Sequence, residues 1–142
     1  MKFLLLIPFA SIALISCNKR PIESELIIGT WTHHEASNDH RFERNVTAEI
    51  KNDHTCIFTS RTKLDSKENL RVQKGTWTLS GNNLIIHSIS PNDPNQSMDF
   101  RSRINSLDKQ KLTITVEPIP EIAMPLQTLV YTKTEQDAAA NP

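Results

Sequence analysis

Apolar residues in this chain recur at every second position, in short runs broken by turn formers, and that period belongs to strands. Val46, Ala48 and Ile50 share one side of their run, with Thr47 and Glu49 between them. Leu112, Ile114 and Val116 do the same against Thr113 and Thr115, and Met98, Phe100 and Ile104 align opposite Arg101 and Arg103. Such alternation describes sheets with one dry and one wet surface. Eight segments carry it, at 26–33, 45–51, 54–61, 70–79, 83–89, 98–106, 110–117 and 126–133. The polar stretch from Glu35 to Arg44 is expected to be a loop or one short helix.

Turn chemistry orders these segments. Lys51-Asn52-Asp53-His54 joins the second to the third, and Asn52-Asp53 tolerates the left-handed backbone of a tight hairpin. Ser80-Gly81-Asn82-Asn83 and Leu107-Asp108-Lys109-Gln110 make two further hairpins. Regular hairpins at this spacing predict sequential antiparallel strands in an all-β barrel or sandwich. Two connections are longer. Residues 90–97 are dense in turn formers and cannot be a central strand. Residues 118–125 carry three prolines together with Ile119, Ile122, Ala123 and Met124, an apolar content suited to capping one end of a barrel or meeting a partner.

The amino terminus follows a different logic. Met1-Lys2 precedes an apolar run from Phe3 to Ile15, which Asn18-Lys19-Arg20-Pro21 ends. One positive charge, a short apolar stretch and a small residue before the break make a secretory signal. The run falls short of the ~20 residues that cross a bilayer. Leu14-Ile15-Ser16-Cys17 resembles the lipobox of bacterial lipoproteins. That resemblance implies cleavage before Cys17, a thioether from its sulfur to diacylglycerol, and acylation of the new amino terminus. Two or more chains hold a protein firmly to a membrane. Asn18 is not the aspartate that tends to retain enteric lipoproteins in the inner membrane, so the expected location is the periplasmic face of the outer membrane. The expected division is a signal peptide over 1–16, a lipidated tether over 17–25, one barrel domain over 26–134 and a disordered tail over 135–142.

Charge and cysteine usage exclude other classes. Sixteen Lys and Arg balance sixteen Asp and Glu, so no basic excess points to nucleic acid. With Cys17 committed to lipid, Cys56 stands alone in Thr55-Cys56-Ile57-Phe58 and is expected to be a small core residue.

The internal repeat is Gly29-Thr30-Trp31-Thr32 and Gly75-Thr76-Trp77-Thr78, which holds both tryptophans of the chain. Glycine and tryptophan two apart share a face, and the glycine leaves room for a bulky neighbour or a bend. Each indole brings apolar area and one donor able to cap a loop carbonyl. The first copy resembles the Gly-X-Trp motif of lipocalins. The second copy, followed by Leu79 and Gly81-Asn82-Asn83-Leu84-Ile85-Ile86, resembles lipocalin-like domains of bacterial lipoproteins. The likeness covers roughly residues 26–133. It implies a single small antiparallel up-and-down barrel of about eight strands whose floor is closed by tryptophan and whose open end holds an apolar ligand. It also implies a basic residue set against the first tryptophan, for which Lys133 and Arg101 are available.

No catalytic pattern accompanies the barrel. Neither a nucleophile elbow nor a Gly-rich phosphate loop occurs, and no cofactor is expected. His34 and His40, with Glu35 or Asp39, are weak candidates for a zinc or copper site, since imidazole and carboxylate suit those ions. His33 and His34 are adjacent and point to opposite faces, so both do not serve one ion. Solvated loop histidines are the plainer reading. Arg101 and Arg103 beside Asn105 form an anion patch or a solvated exterior. Three functions stay open: binding of a small apolar molecule without catalysis, an interaction module acting through residues 90–97 and 118–125, and metal binding through the histidine-rich loop.

Overall fold

The computed structural model describes residues 22–90, 93, 95–120 and 124–134. The signal run, Cys17 and the tail lie outside the described residues. Eight strands follow in chain order: β1 (Gly29–Ala36), β2 (Phe42–Ile50), β3 (Thr55–Leu64), β4 (Lys67–Ser80), β5 (Asn83–Ile89), β6 (Ser97–Leu107), β7 (Lys111–Val116) and β8 (Gln127–Lys133). Each pairs antiparallel with the next and β8 returns to β1, so the sheet closes into an up-and-down barrel. Closure removes the unpaired edges that an open sheet must protect.

The two-residue period sets which side chains fill the interior. Val46, Ala48 and Ile50 of β2, Leu84 and Ile86 of β5, and Leu112, Ile114 and Val116 of β7 are all buried. Thr47, Glu49, Thr113 and Thr115 are on the other face, as are the exposed Arg101 and Arg103. In β6 a bulge between Ile104 and Ser106 shifts the register, so Leu107 packs against the core although it lies three residues from Ile104.

The turns depart from the sequence reading in one respect. In the β2–β3 hairpin the left-handed residue is His54, at φ 64°, and not Asn52 or Asp53. Asp53 is instead the cap: its Oδ1 accepts from Thr55 N at 3.0 Å and Thr55 Oγ1 at 2.6 Å. Asp108 does the same in the β6–β7 turn, accepting from Gln110 N and Lys111 N at 2.8 Å each. Gly81 takes the left-handed position of the β4–β5 turn, at φ 58°.

The stretch from Glu35 to Arg44 is neither one loop nor a helix. Glu35 and Ala36 extend β1, Phe42 to Arg44 begin β2, and only residues 37–41 turn between them. Its polarity reflects the rim of the barrel, where both faces of a strand meet solvent. The same holds for the outer half of the β3–β4 hairpin, which runs to Leu64 and restarts at Lys67 around Asp65, at φ 53°.

One end of the barrel is a packed floor. A single helical turn, α1 (Ser24–Ile27), precedes β1 and drives Ile27 into the interior. Ile27, Trp31, Trp77, Leu84, Ile104 and Cys56 are the largest side chains with essentially no solvent contact, and all belong to this end. Burying indoles and branched aliphatics there contributes about 1.5–3 kcal/mol per side chain. The described residues of the β7–β8 connection, 117–120 and 124–126, lie at the opposite end, the mouth. Ile119 and Met124 exchange backbone hydrogen bonds at 3.0 and 3.1 Å. Ile119 is buried, while Leu126 is exposed.

Candidate functional site

The repeated Gly-Thr-Trp-Thr builds the floor. Trp31 Nε1 donates to Ile27 O at 2.8 Å, and Trp77 Nε1 donates to Lys51 O at 2.9 Å. Each indole thus caps a carbonyl at the floor, one in α1 and one in the β2–β3 turn, as its lone donor suggested. Glycine has a separate reason in the second copy. A Cβ on Gly75 would sit 2.1 Å from His87 O of the paired β5, an approach that only glycine permits. Lys133 supplies the cation against the first tryptophan. It stands opposite Trp31 in the β1–β8 register, its Nζ lies 5.1 Å from the indole centroid, and it donates to Ile28 O at 2.7 Å. Arg101 is on the exterior and takes no part in this contact.

Above the floor the interior is not filled. A cavity of about 130 Å³ lies between the strands of the mouth half. Val46, Ile86, Phe100, Ile114, Val116 and Leu129 supply apolar lining, and Met124 reaches in from the 118–125 connection. That volume is below the roughly 300–1,000 Å³ of most small-molecule sites. It is close to the ~150 Å³ that accommodates benzene.

Nor is the lining purely apolar. Arg44, Ser60, Gln73, Ser88, Ser102, Gln127 and Tyr131 also face the cavity. Arg44 is the one charged member among the described lining residues, and its contacts are long. Its Nε is 3.4 Å from Ser60 Oγ and its Nη1 is 3.6 Å from Glu35 Oε1. Gln73 Nε2 lies 3.4 Å from Ser88 Oγ. Burial pushes the Tyr131 hydroxyl up to about 12, with nearby Arg44 pulling down and Glu35 pushing up, so it stays protonated in neutral solution.

Every one of these positions continues an inward parity legible in the sequence. Arg44 precedes Val46, Ser88 follows Ile86, Ser102 lies between Phe100 and Ile104, and Tyr131 follows Leu129. A search for apolar alternation alone passes over them because the period continues while the polarity changes.

The histidines are separated. His33 points inward, its ring 5.3 Å from Tyr131, with Nδ1 2.8 Å from Val130 O. A carbonyl only accepts, so Nδ1 carries the proton. Nε2 is left buried without a hydrogen bond, 3.7 Å from Glu35 Oε2. His34 points outward to Asn45 Oδ1 at 2.7 Å, and His40 occupies a left-handed position in the β1–β2 loop. Among the described residues no group of three His, Cys, Asp or Glu is placed to hold a metal ion, so His34 and His40 are not brought into one site. Cys56 is buried at the floor, where desolvation pushes its thiol up to about 11, away from the reactive thiolate. No helix among the described residues is long and apolar enough to cross a membrane.

A family model described as a lipocalin-like domain matches residues 27–114, more than half of the chain. No curated protein matches it. The match begins at Ile27 beneath the first tryptophan and includes both copies of the repeat, and with the closed eight-stranded barrel it establishes that the chain belongs to the lipocalin-like domain family.

Proposed function

We propose that this protein is a lipid-anchored envelope lipoprotein that binds a small molecule in the mouth half of its barrel and performs no chemistry on it. The observation that carries the binding reading is the unfilled, mixed-polarity cavity above a floor packed by two tryptophans. Lipocalin-like barrels are in general binding proteins, which agrees with an interior that offers hydrogen-bond donors but no activated nucleophile. Native mass spectrometry of the delipidated protein from its own host is expected to show a bound mass of small-molecule size. Protein recovered only at its bare mass, and unable to take up any added small molecule, overturns this reading.

The anchor rests on Leu14-Ile15-Ser16-Cys17. Cys17→Ser is expected to abolish incorporation of labelled fatty acid, and continued incorporation would refute the anchor. Ile27 and Lys133 both belong to the floor, so a lipid at Cys17 attaches from that side. Four residues separate Cys17 from Ile22, and the five steps between them reach at most ~18 Å. The floor then faces the membrane and the mouth opens away from it, toward the periplasm if the outer membrane is the destination.

The interaction-module reading has less support. Met124 lines the cavity and Ile119 is buried, which leaves Leu126 as the exposed large apolar residue among those described between β7 and β8.

A further inference from the structure

The polar groups of the cavity share one chemistry, and it narrows the ligand class of the function proposed above, on which this inference rests. Arg44 has five N–H donors. Its two side-chain contacts, at 3.4 and 3.6 Å, are well outside the roughly 2.7–2.9 Å of a formed charge-assisted hydrogen bond. Tyr131 Oη and Ser102 Oγ face the same space and make no hydrogen bond to a described residue, although the two residues are only 6% and 5% exposed. Both oxygens are accessible from the cavity, since His33 Nε2 is the buried side-chain polar atom left without a partner among the described residues. Arginine cannot accept, and a protonated phenol and a serine can both donate. Arg44, Tyr131 and Ser102 can therefore all donate to an acceptor placed in the cavity.

Glu35 qualifies Arg44 without satisfying it. Its carboxylate lies between two cationic or potentially cationic groups, 3.6 Å from Arg44 Nη1 and 3.7 Å from His33 Nε2. It approaches Arg44 loosely and is itself over a third exposed. An incoming anion can take Arg44 while Glu35 keeps His33 as a neighbour. Across the barrel from Arg44 stand Ile86, Phe100, Ile114 and Val116, a mainly apolar wall in which Ser88 and Ser102 are the polar members, with room for a body about the size of a benzene ring.

We propose that the cavity takes a small monocarboxylate with a compact apolar body, its carboxylate held by Arg44 and Tyr131 in place of Glu35 and its body against the β5–β7 wall. Neutral alcohols of the same shape lack the charge that Arg44 recognises, and amines are repelled by it.

Benzoate, benzyl alcohol and benzylamine test this on the purified protein, by titrating the methyl resonances of the Ile, Val and Leu side chains of the cavity. Benzoate is expected to move them saturably, at least about tenfold more tightly than benzyl alcohol, with benzylamine weaker still. Arg44→Gln is expected to weaken benzoate about tenfold and leave benzyl alcohol unchanged. Glu35→Gln is expected to tighten benzoate several-fold, a gain that a merely structural role for Glu35 would not produce. Tyr131→Phe, a shape-conserving change, serves as the second variant should Arg44→Gln misfold, and is expected to weaken benzoate alone. Equal affinity for benzoate and benzyl alcohol, or equal losses for both in Arg44→Gln or Tyr131→Phe, overturns the anion assignment and leaves the small-ligand function standing. If no cavity methyl moves with any of the three probes, the anion assignment falls, and the small-ligand function is decided by the bound mass in native mass spectrometry.

Discussion

Gly75 and Gly81 are two glycines with opposite reasons to be glycine. At Gly75 the backbone of β4 approaches β5 so closely that any Cβ meets His87 O, which is fixed in the ladder. At Gly81 nothing lies within 4 Å, and only the left-handed φ of 58° disfavours a side chain. Gly75→Ala is therefore expected to cost about 3 kcal/mol, the upper end of overpacking losses. Gly81→Ala should cost only about 1 kcal/mol. Urea unfolding of the two variants checks this, and equal losses would contradict the close-approach argument. The glycine and tryptophan of each repeat were legible from their two-residue spacing, since that spacing alone places them on one face. The identity of the cation was not. Lys133 and Arg101 are indistinguishable as sequence, and only the β1–β8 register sets Lys133 opposite Trp31 while Arg101 points to solvent.

Strands were legible where they are buried on one side and obscure where they are buried on neither. β5 and β7 lie within a residue or so of their predicted bounds because Leu84, Ile86, Leu112, Ile114 and Val116 alternate cleanly. The rim segments, Glu35–Ala36, Phe42–Arg44 and the hairpin around Asp65, have solvent on both faces, so hydropathy carries no period there. Pairing at the rim is maintained by backbone hydrogen bonds and by exterior ion pairs such as Arg61–Glu68 at 3.3 Å, which contribute little when exposed. This difference has a dynamic consequence in β4. Its residues 74–76 pair with both β3 and β5, and 77–80 pair with β5 around the buried Trp77, whereas 67–73 pair with β3 alone, and Leu70 and Val72 are exposed. Amide exchange is expected to be at least about a hundredfold faster over 67–72 than over 76–79, because local opening of the outer half exposes little apolar surface. Uniform protection along β4 would show that the rim is covered by something beyond its own pairing.

At the scale of the whole barrel, the titrating groups place a ceiling and a floor on the pH range of stability. Asp39, Asp53 and Asp108 each hold a loop or turn together as carboxylates, and all three are lowered from the ordinary 3.8. The main causes are the Ser37 hydroxyl for Asp39, the Thr55 hydroxyl for Asp53, and the Gln110 and Lys111 amides for Asp108. A depressed carboxylate contributes stability above its unfolded value, and that contribution is lost as pH falls through the folded one. The acid limb is therefore expected below about pH 4. It should be shallow, since all three groups are fully exposed to solvent. The alkaline limb has the reverse sign. Desolvation raises Cys56 from 9.0 to about 11 and Tyr131 from 10.0 to about 12. Groups raised in this way favour folding fully below their unfolded values, and the advantage disappears as pH rises toward the folded ones. At about 1.4 kcal/mol per pH unit, each removes roughly 2–3 kcal/mol at most by pH 12. Thermal melts across pH 3–12 are expected to show a broad plateau, a gentle acid decline and a steeper alkaline one. In Cys56→Ala the loss beginning near pH 9 should diminish while the loss beginning near pH 10, set by Tyr131, remains. An alkaline limb unchanged by Cys56→Ala would mean that the thiol is accessible to hydroxide through the floor, and that the tryptophan-packed end of the barrel opens more readily than its burial implies.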